Sequence, residues 1–272
     1  MPIGNIRKMQ TKLDSPVQYW LPVGDERIHI NPLLGESIRF RYTEQIHCIH
    51  CGKKTKKSYS QGHCFICMQK LAACDMCIVK PEQCHFDQGT CREPEWGLAH
   101  CMQPHFLYLA NSSALKVGIT RATQIPTRWI DQGAQQALPI YQVQTRYQVG
   151  LLEVAFKNHV ADKTNWRTLL KSAAPPLDLM AERDQLLAAC QPAINELVGR
   201  FGDDAIQAID DQTVTELTFP VLQYPSKITS LNLDKTPEVT GVLQGIKGQY
   251  LIFDCGVINM RKYTGYEIEF MV

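Results

Sequence analysis

The stretch HFLYLANSSALKVGIT, residues 105–120, places two short apolar runs on either side of the polar turn NSSA. Runs of this kind, separated by a few turn residues, predict two antiparallel strands joined as a hairpin. One face of that hairpin carries Tyr108, Lys116 and Gly118. A tract crowded with cysteines lies just upstream. The stretch is therefore either an ordinary hairpin on a metal-stapled domain or the start of an active site.

The segments that follow alternate between helix and strand patterns. Pro126 and Gly133 bracket IPTRWIDQGA, as expected for a short helix. ALPIYQVQTRY, which begins at residue 137, predicts a third strand. VGLLEVAFKNHVAD, residues 149–162, has apolar residues at helical spacing and predicts a helix. Residues 178–201 predict a second helical stretch, which Pro192 should kink or split.

Both ends of the chain are rich in β-strand patterns. Residues 17–46 show short strand-like runs broken by glycine, proline and asparagine, and the segment from 213 predicts a small antiparallel sheet or barrel. The predicted class is α+β, with a central α/β domain. The predicted divisions are an N-terminal β segment (1–46), a zinc-ribbon-like cysteine segment (47–103), a central domain with a helical extension (104–212) and a C-terminal β domain (213–272).

The C-terminal segment also carries basic and aromatic residues. Lys247, Arg261 and Lys262 are expected to be exposed among several tyrosines. A small barrel with such a face is a common platform for single-stranded nucleic acid. A structural cap and a protein-docking unit are equally open interpretations.

The composition narrows the class of protein. The chain has 272 residues with 44% hydrophobic content, enough to bury a core, and its formal net charge is +1, which argues against a wholly basic, non-specific DNA binder. The first residues lack the apolar core of a signal peptide. No apolar run approaches the roughly 18 residues that a membrane helix needs. We expect a soluble cytoplasmic protein that does not use a membrane, and the oligomeric state is left open.

Nine of the eleven cysteines lie between Cys48 and Cys101. An odd count and tight clustering favour metal binding over disulfides in a cytoplasmic protein. CIHC and CFIC are two C-x2-C pairs, and two such turns can complete a tetrahedral four-sulfur zinc site. The alternative is a set of reduced, partly buried thiols. The predicted zinc ligands are Cys48, Cys51, Cys64 and Cys67.

Five further cysteines follow and predict a second zinc ion. Any four of them could close a second site and leave one free thiol, and His85 or His100 could replace one ligand. A redox C-x2-C motif is less suitable, because the sequence after Cys77 does not open a helix. Zinc in a closed site is structural, so the tract folds the region, while the lysines of GKKTKK (52–57) either contact phosphate or form a solvated loop. The five candidates are Cys74, Cys77, Cys84, Cys91 and Cys101.

The order LYLA, KVGIT, an arginine in PTRW and a later helical glutamate resembles the GIY-YIG nuclease family over residues 104–172. The whole layout also resembles a bacterial family of unknown function. The nuclease resemblance implies that Tyr108 helps to activate a water and that Gly118 is the glycine of the second motif. It further implies that Arg128 steadies the phosphate and leaving group, and that Glu153 holds a divalent ion.

The residue types suit phosphodiester cleavage independently of the family resemblance. Cleavage of a phosphodiester needs charge stabilisation and an activated water. Arg128 can bind phosphate through two hydrogen bonds, and Glu153 offers a hard oxygen to Mg²⁺ or Mn²⁺. Lys116 departs from the family, because it replaces the second tyrosine. It could bind phosphate, lower a neighbouring pKa, or mark a fold that binds without cleaving.

Several of the candidate residues also have a purely structural interpretation. Tyr108 is also compatible with a core aromatic. Arg128 and Asp131 lie on one helix face and could simply form an ion pair. DKTNWR, residues 162–167, combines Trp166 with Arg167, which could stack a base and hold a phosphate, or bury an anchor.

The leading hypothesis is a zinc-stabilised nucleic-acid-binding protein with a GIY-YIG-like domain, and possibly a divalent-metal-dependent endonuclease. DNA and RNA are both open as partners. The alternatives are a binding module of the same fold without catalysis and a scaffold whose zinc tract docks another protein.

Overall fold

A computed structural model describes residues 1–160, 165–210 and 213–272 and has the predicted mixed α+β class, with several sheets. Its strands are β1 (Ile3–Asn5), β2 (Gln10–Lys12), β3 (Gln18–Val23), β4 (Glu26–His29), β5 (Ser37–Ile46), β6 (His105–Asn111), β7 (Leu115–Arg121), β8 (Gln136–Val143), β9 (Ile206–Ala208), β10 (Thr215–Glu216), β11 (Glu238–Lys247), β12 (Tyr250–Phe253), β13 (Gly256–Asn259) and β14 (Tyr266–Met271). Its α-helices are α1 (Phe65–Lys70), α2 (Pro94–His100), α3 (Thr127–Asp131), α4 (Arg146–Lys157), α5 (Trp166–Leu169) and α6 (Leu179–Phe201).

The two ends of the chain build one six-stranded sheet in the order β1-β14-β5-β11-β12-β13. The central strand β5 alternates buried and exposed residues, so Phe40 turns inward and packs 5.3 Å from Phe270, ring centre to ring centre. The C-terminal strands therefore form an open sheet, and the described residues contain no closed barrel. Strands β2, β3 and β4 form a separate three-stranded sheet. The domain boundaries themselves stay a prediction.

The predicted hairpin is β6 and β7, in which Tyr108 pairs with Gly118. With β8, β9 and β10 these strands make a five-stranded sheet. Its residues alternate between two cores, because successive side chains of a strand point to opposite faces. Leu107 and Leu109 join the core that α4 and α6 complete. Tyr108 and Ala110 join the core shared with α3 and the six-stranded sheet.

The two long helices differ from the sequence prediction at particular points. Helix α4 starts at a capping box formed by Thr145 and Gln148, and it ends at Lys157, before the predicted end at 162. Residues 161–164 lie outside the described residues. Helix α6 is not split at Pro192. Pro192 is exposed, so the carbonyl that loses its N–H partner lies on the side facing water, and the buried stripe of the helix is continuous.

The cysteine tract contains α1, α2 and four short 3-10 helices at Ala72–Cys74, Met76–Ile78, Pro81–Gln83 and Phe86–Gln88. It packs against α4. A Cβ atom on Gly150 of α4 would lie 2.6 Å from the backbone nitrogen of Glu82 and 2.6 Å from Cβ of Pro81. Only a glycine permits this approach. None of the helices in the described ranges is both long and apolar enough to cross a bilayer.

Lys247 is fully buried, which corrects the expectation that it is exposed on a basic surface. Its Nζ lies 5.8 Å from the ring centre of Phe219 and 5.4 Å from that of Tyr224. It also donates a hydrogen bond to the carbonyl of Ser172, at 3.2 Å. The position ends the long strand β11 inside the core, where the aromatic rings replace solvent around the ammonium group. Lys262 is exposed as expected, whereas Arg261 is half-buried.

Burial lowers the pKa of Lys247 to about 8, from 10.5. Between these values the unfolded chain binds a proton that the folded chain does not, so the free energy of unfolding rises with pH. We predict that Lys247→Met stabilises the protein by about 2–3 kcal/mol below pH 8, and that this gain disappears as the pH approaches 10.5. Urea unfolding across that range measures the difference. The exposed Lys262→Met control should show no such trend, and a gain for Lys247→Met that does not change with pH would contradict the assignment.

The packing of the cysteine tract onto α4 predicts that alanine substitutions at two helical glycines have opposite effects on the stability of the protein. Gly150→Ala should destabilise the protein by about 1–3 kcal/mol, because the methyl group would overlap the backbone of Glu82. Gly199→Ala in α6 meets nothing within 4 Å and should stabilise by about 0.5–1 kcal/mol. Thermal unfolding of both variants gives the comparison. Equal shifts of the two variants would show that the tract does not pack on α4 in this way.

Candidate functional site

The ring of Tyr108 lies across Gly118 on the neighbouring strand. A Cβ atom on Gly118 would be 2.6 Å from the phenol oxygen, so the missing side chain makes room for the ring. Tyr108 is fully buried and its ring packs edge-on against Trp129, with 6.1 Å between ring centres. Its hydroxyl donates a hydrogen bond to Oε1 of Gln132, at 2.7 Å. The hairpin and α3 together therefore fix the phenol in one place.

The guanidinium of Arg128 on α3 lies beside the phenol oxygen of Tyr108, and the charge of Glu153 on α4 affects the pKa of the same phenol. Burial raises the pKa of Tyr108, the adjacent Arg128 guanidinium opposes that rise, and the Glu153 carboxylate adds to it. The three side chains predicted from the sequence thus come within electrostatic reach of one another. The phenol stays protonated at neutral pH, so Tyr108 serves here as a hydrogen-bond donor.

Glu153 is buried on α4, with 8% of its surface exposed. One carboxylate oxygen lies 3.1 Å from Nζ of Lys157, one turn later in the helix. Lys116 is also buried and pairs across the hairpin with Ala110. Because side chains alternate along β7, Lys116 and Gly118 face the same side as Tyr108. The position that departs from the nuclease pattern therefore belongs to the same face of the sheet.

Asp131 does not pair with Arg128, which corrects the simplest structural expectation for this helix. Its carboxylate forms an ion pair with Lys8 and accepts a hydrogen bond from Nε2 of Gln249, at 2.8 Å. Both partners come from the terminal segments of the chain, which no local pattern in α3 could indicate. The arginine is left facing Tyr108 instead.

Two further arginines lie within electrostatic reach of Arg128. Burial and the charge of Arg128 both lower the pKa of Arg261, and the same two effects act on Arg146. Arg261 also donates a hydrogen bond to the side chain of Gln61 in the cysteine tract. Three like charges held near one another raise the energy of the site and favour an anion between or beside them. The sequence did not indicate this cluster, because Arg261 is more than a hundred residues from Arg128 and Arg146.

The segment 162–167 is only partly described. Asp162, Lys163 and Thr164 lie outside the described residues. Trp166 stacks on Tyr250 at 6.0 Å with nearly parallel rings, and the Arg167 guanidinium lies 4.4 Å from the centre of the Trp166 ring. Trp166 therefore has a structural partner in the C-terminal sheet.

The first cysteine set forms one cluster. The sulfur atoms of Cys48, Cys51, Cys64 and Cys67 all lie within 4.8 Å of one another. Gly52 closes the first turn by donating its N–H to the carbonyl of Cys48, and Cys64 caps the start of α1. Four thiolates at this spacing could hold a structural metal ion such as zinc.

The pKa values of two thiols in this cluster are shifted in opposite directions. Burial raises the pKa of Cys48, but the backbone groups of Cys51, Cys64 and His50 outweigh it, and the pKa falls to about 6. Burial and the three neighbouring sulfurs raise the pKa of Cys67. Four thiolates cannot gather without a compensating charge, and a divalent cation supplies that charge.

The second cysteine set is arranged differently. Cys77, Cys84, Cys91 and Cys101 line one small cavity, together with apolar and aromatic side chains and with Asp75 and His85. Cys74 is not part of that lining. A second group near it contains Asp75, Cys77 and His85, whose ligand atoms lie within 4.8 Å of one another.

Comparison with known proteins gave one match. A family model described as "Protein of unknown function (DUF2797)" matches residues 35–268, which include the cysteine tract and the hairpin. No curated protein and no solved structure matches the chain.

We predict that Cys48→Ser releases one equivalent of bound metal and lowers the unfolding temperature, because a closed site cannot keep its ion with three thiolates. Elemental analysis of the purified protein measures the metal. Cys255→Ser is the matched control, since Cys255 is exposed and stands apart from the tract, and it should leave the metal content unchanged. An unaltered metal content in Cys48→Ser would show that this cluster holds no ion.

Proposed function

This chain belongs to the family of proteins of unknown function DUF2797, and we propose that it binds nucleic-acid phosphates and cleaves the phosphodiester with a GIY-YIG-like site. The observation that carries the proposal is that Arg128 lies beside the buried phenol of Tyr108, within electrostatic reach of the Glu153 carboxylate. These residues come from a strand and two helices. Packing alone does not require a guanidinium and a carboxylate beside a buried phenol.

The arginines supply the binding step. The charge of Arg128 acts on both Arg146 and Arg261, so a phosphate near these three arginines gains more than it would at an isolated arginine. The lysines of the loop 52–57 are exposed, and Gln61, a few residues further on, is bonded to Arg261. A basic loop thus begins close to the arginine cluster and extends the surface along which a nucleic-acid backbone could run.

Glu153 supplies the oxygen ligand for a divalent ion in this proposal. Mg²⁺ and Mn²⁺ are held in many phosphoryl-transfer sites by one or two carboxylates together with substrate phosphates, so a single carboxylate fits. When bound, such an ion stabilises the charge on the non-bridging oxygens and lowers the pKa of a water. A carboxylate oxygen of Glu153 already lies 3.1 Å from Nζ of Lys157, so the group has a cationic neighbour, which supports the proposal.

Tyr108 and Lys116 orient the reacting groups. The protonated phenol donates a hydrogen bond, now to Gln132, and can donate it to a phosphate oxygen or water after a small side-chain shift. Lys116 places a buried positive charge on the same face, at the position where the GIY-YIG family carries its second tyrosine. Gly118 keeps the space that the Tyr108 ring needs.

The alternative is a module of the same fold that binds without cleaving. The complete burial of Tyr108 and the lysine at position 116 favour it, because both restrict access of water to the phenol. A third candidate is a scaffold for another protein. Its support is a set of exposed large apolar residues in the cysteine tract, a composition typical of contact surfaces. These are Phe65, Ile66, Met76, Val79 and Leu98.

We predict that Glu153→Gln abolishes Mg²⁺- or Mn²⁺-dependent cleavage while nucleic-acid binding is retained, and that Arg128→Ala weakens binding roughly ten- to a hundredfold. The measurements are cleavage of labelled single-stranded, duplex and structured DNA and RNA, and binding of the same substrates at several salt concentrations. Glu196→Gln and Arg39→Ala, both at exposed positions, are the matched controls.

The outcomes separate the three candidates. Metal-dependent cleavage that Glu153→Gln removes supports the nuclease. Binding that weakens with salt and with Arg128→Ala, without cleavage by the wild-type protein, supports the binding module. Absence of both activities in the wild-type protein overturns the proposal and leaves the scaffold.

A further inference from the structure

Four cysteines of the tract converge although they are spread over 25 residues. Cys77 lies in the 3-10 helix Met76–Ile78, Cys84 follows Pro81–Gln83, Cys91 precedes α2, and Cys101 ends it. The cavity that they line has a volume of about 10 Å³, the space of one water-sized body. Its other walls include the apolar or aromatic residues Ile78, Phe86 and Trp96, together with Asp75 and His85. A packed protein does not ordinarily surround so small a space with four thiols.

We propose that Cys77, Cys84, Cys91 and Cys101 bind a second structural Zn²⁺ in a closed four-thiolate site, with Cys74 outside it. The spacing C-x6-C-x6-C-x9-C is not that of two C-x2-C turns, so the sequence pairs Cys77 with the wrong partner, Cys74. Zinc tolerates such irregular spacing, because it requires only four ligands in a tetrahedron. This site is independent of the proposed nuclease function.

The position of Cys74 supports its exclusion. Its thiol lies near the hydroxyl of Ser60 and the guanidinium of Arg92, and it is close enough to Cys48 to sense that residue's charge. It therefore lies on the side of the tract that faces the first cluster. The first cluster already has its four ligands, so Cys74 belongs to neither site.

Asp75 and His85 are close to Cys77, but they are engaged elsewhere. One oxygen of Asp75 accepts from Nε of Arg92 at 2.7 Å and lies 3.5 Å from Nε2 of His85, and the other accepts from the backbone N–H of Met76. Nδ1 of His85 lies 2.8 Å from the hydroxyl of Thr90. These contacts account for both side chains as an ion-pair network, whereas the one hydrogen bond described for the four thiols is from Cys91 to the carbonyl of Glu93, at 3.6 Å.

The position of Arg146 is an independent indication that the thiols of the cavity form a negatively charged centre. Four thiolates on one Zn²⁺ leave a net charge of about −2, which a buried centre must balance. Arg146 lies within electrostatic range of Cys77 and Cys101, and its Nη2 donates to the carbonyl of Ile78 at 2.6 Å. Its Nε is buried and has no hydrogen-bond partner in the described part of the chain. A guanidinium in this place is explained by an anionic metal centre beside it.

A zinc ion at this site would also hold the start of α4 in place. Arg146 is the first residue of α4, and its backbone N–H also donates to the carbonyl of Cys101, at 2.8 Å. The second zinc would therefore anchor the start of α4 through both the backbone and the side chain of one residue. The first zinc has no such contact with α4 among the contacts described.

The metal content of the full-length wild-type protein, purified without chelators, is the first test, and two zinc ions per chain are expected. Cys84→Ser and Cys91→Ser should each retain one ion, and the matched Cys74→Ser should retain both. Reconstitution with Co²⁺ should give the absorption of tetrahedral thiolate sites, with about half the wild-type amplitude in Cys84→Ser.

A measurement on the unmodified chain covers the case in which these variants fail to fold. Native protein is treated with N-ethylmaleimide, and the labelled cysteines are located by mass spectrometry. Cys74 and Cys255 should react, while Cys77, Cys84, Cys91 and Cys101 should react only after a chelator has removed the metal. The Arg146 argument is tested by Arg146→Gln, which should lose the second zinc at lower chelator concentration than wild type, and by Arg146→Lys, which should restore much of the retention.

Three results would overturn the assignment. They are one zinc per wild-type chain, loss of an ion from Cys74→Ser, and rapid labelling of Cys84 and Cys91 in the native protein. Loss of an ion from His85→Asn together with retention in Cys91→Ser would instead place the metal on Asp75, Cys77 and His85.

Discussion

The close approach of the cysteine tract to α4 is the constraint on which the rest of this protein depends. At Gly150 the helix touches the backbone of the tract, with no room for even a methyl group. On its other side the same helix packs Leu152 and Phe156 against the hairpin sheet. Helix α4 is thus held between two bodies, and Glu153 lies on it where both meet. Any change that moves the tract also moves the carboxylate.

The tract has little apolar content of its own. Residues 47–103 bury few large side chains, and several of their apolar residues are exposed. A segment of this kind would gain its order from metal–sulfur bonds, since each closed site would fix several turns at once. The rigidity is then passed to α4 through short contacts at Gly150 and Arg146. A metal ion can in this way determine the geometry of a site that it does not touch.

The parts of the structure that the sequence predicted are those set by local rules. The hairpin followed from two apolar runs and a turn, and Cys48, Cys51, Cys64 and Cys67 followed from the reach of a C-x2-C turn. The parts that it did not predict depend on contacts distant in sequence. Lys247 lies in a strand-like run whose aromatic neighbours come from residues 219 and 224, outside any local window. Asp131 pairs with Lys8, so the obvious helical pair with Arg128 does not form.

The charges around Arg128 favour a ligand-binding site over a purely structural arrangement. Elsewhere in the fold an arginine is paired directly with a carboxylate, as the exposed Arg41 is with Glu269. Near Arg128, Asp131 pairs with Lys8, Glu153 acts on the same phenol as Arg128, and the charge of Arg128 reaches Arg146 and Arg261. Like charges held near one another raise the energy of a site, and a bound anion lowers it. The arginine cluster is therefore a stronger argument for phosphate recognition than Tyr108, which a purely structural core would also accommodate.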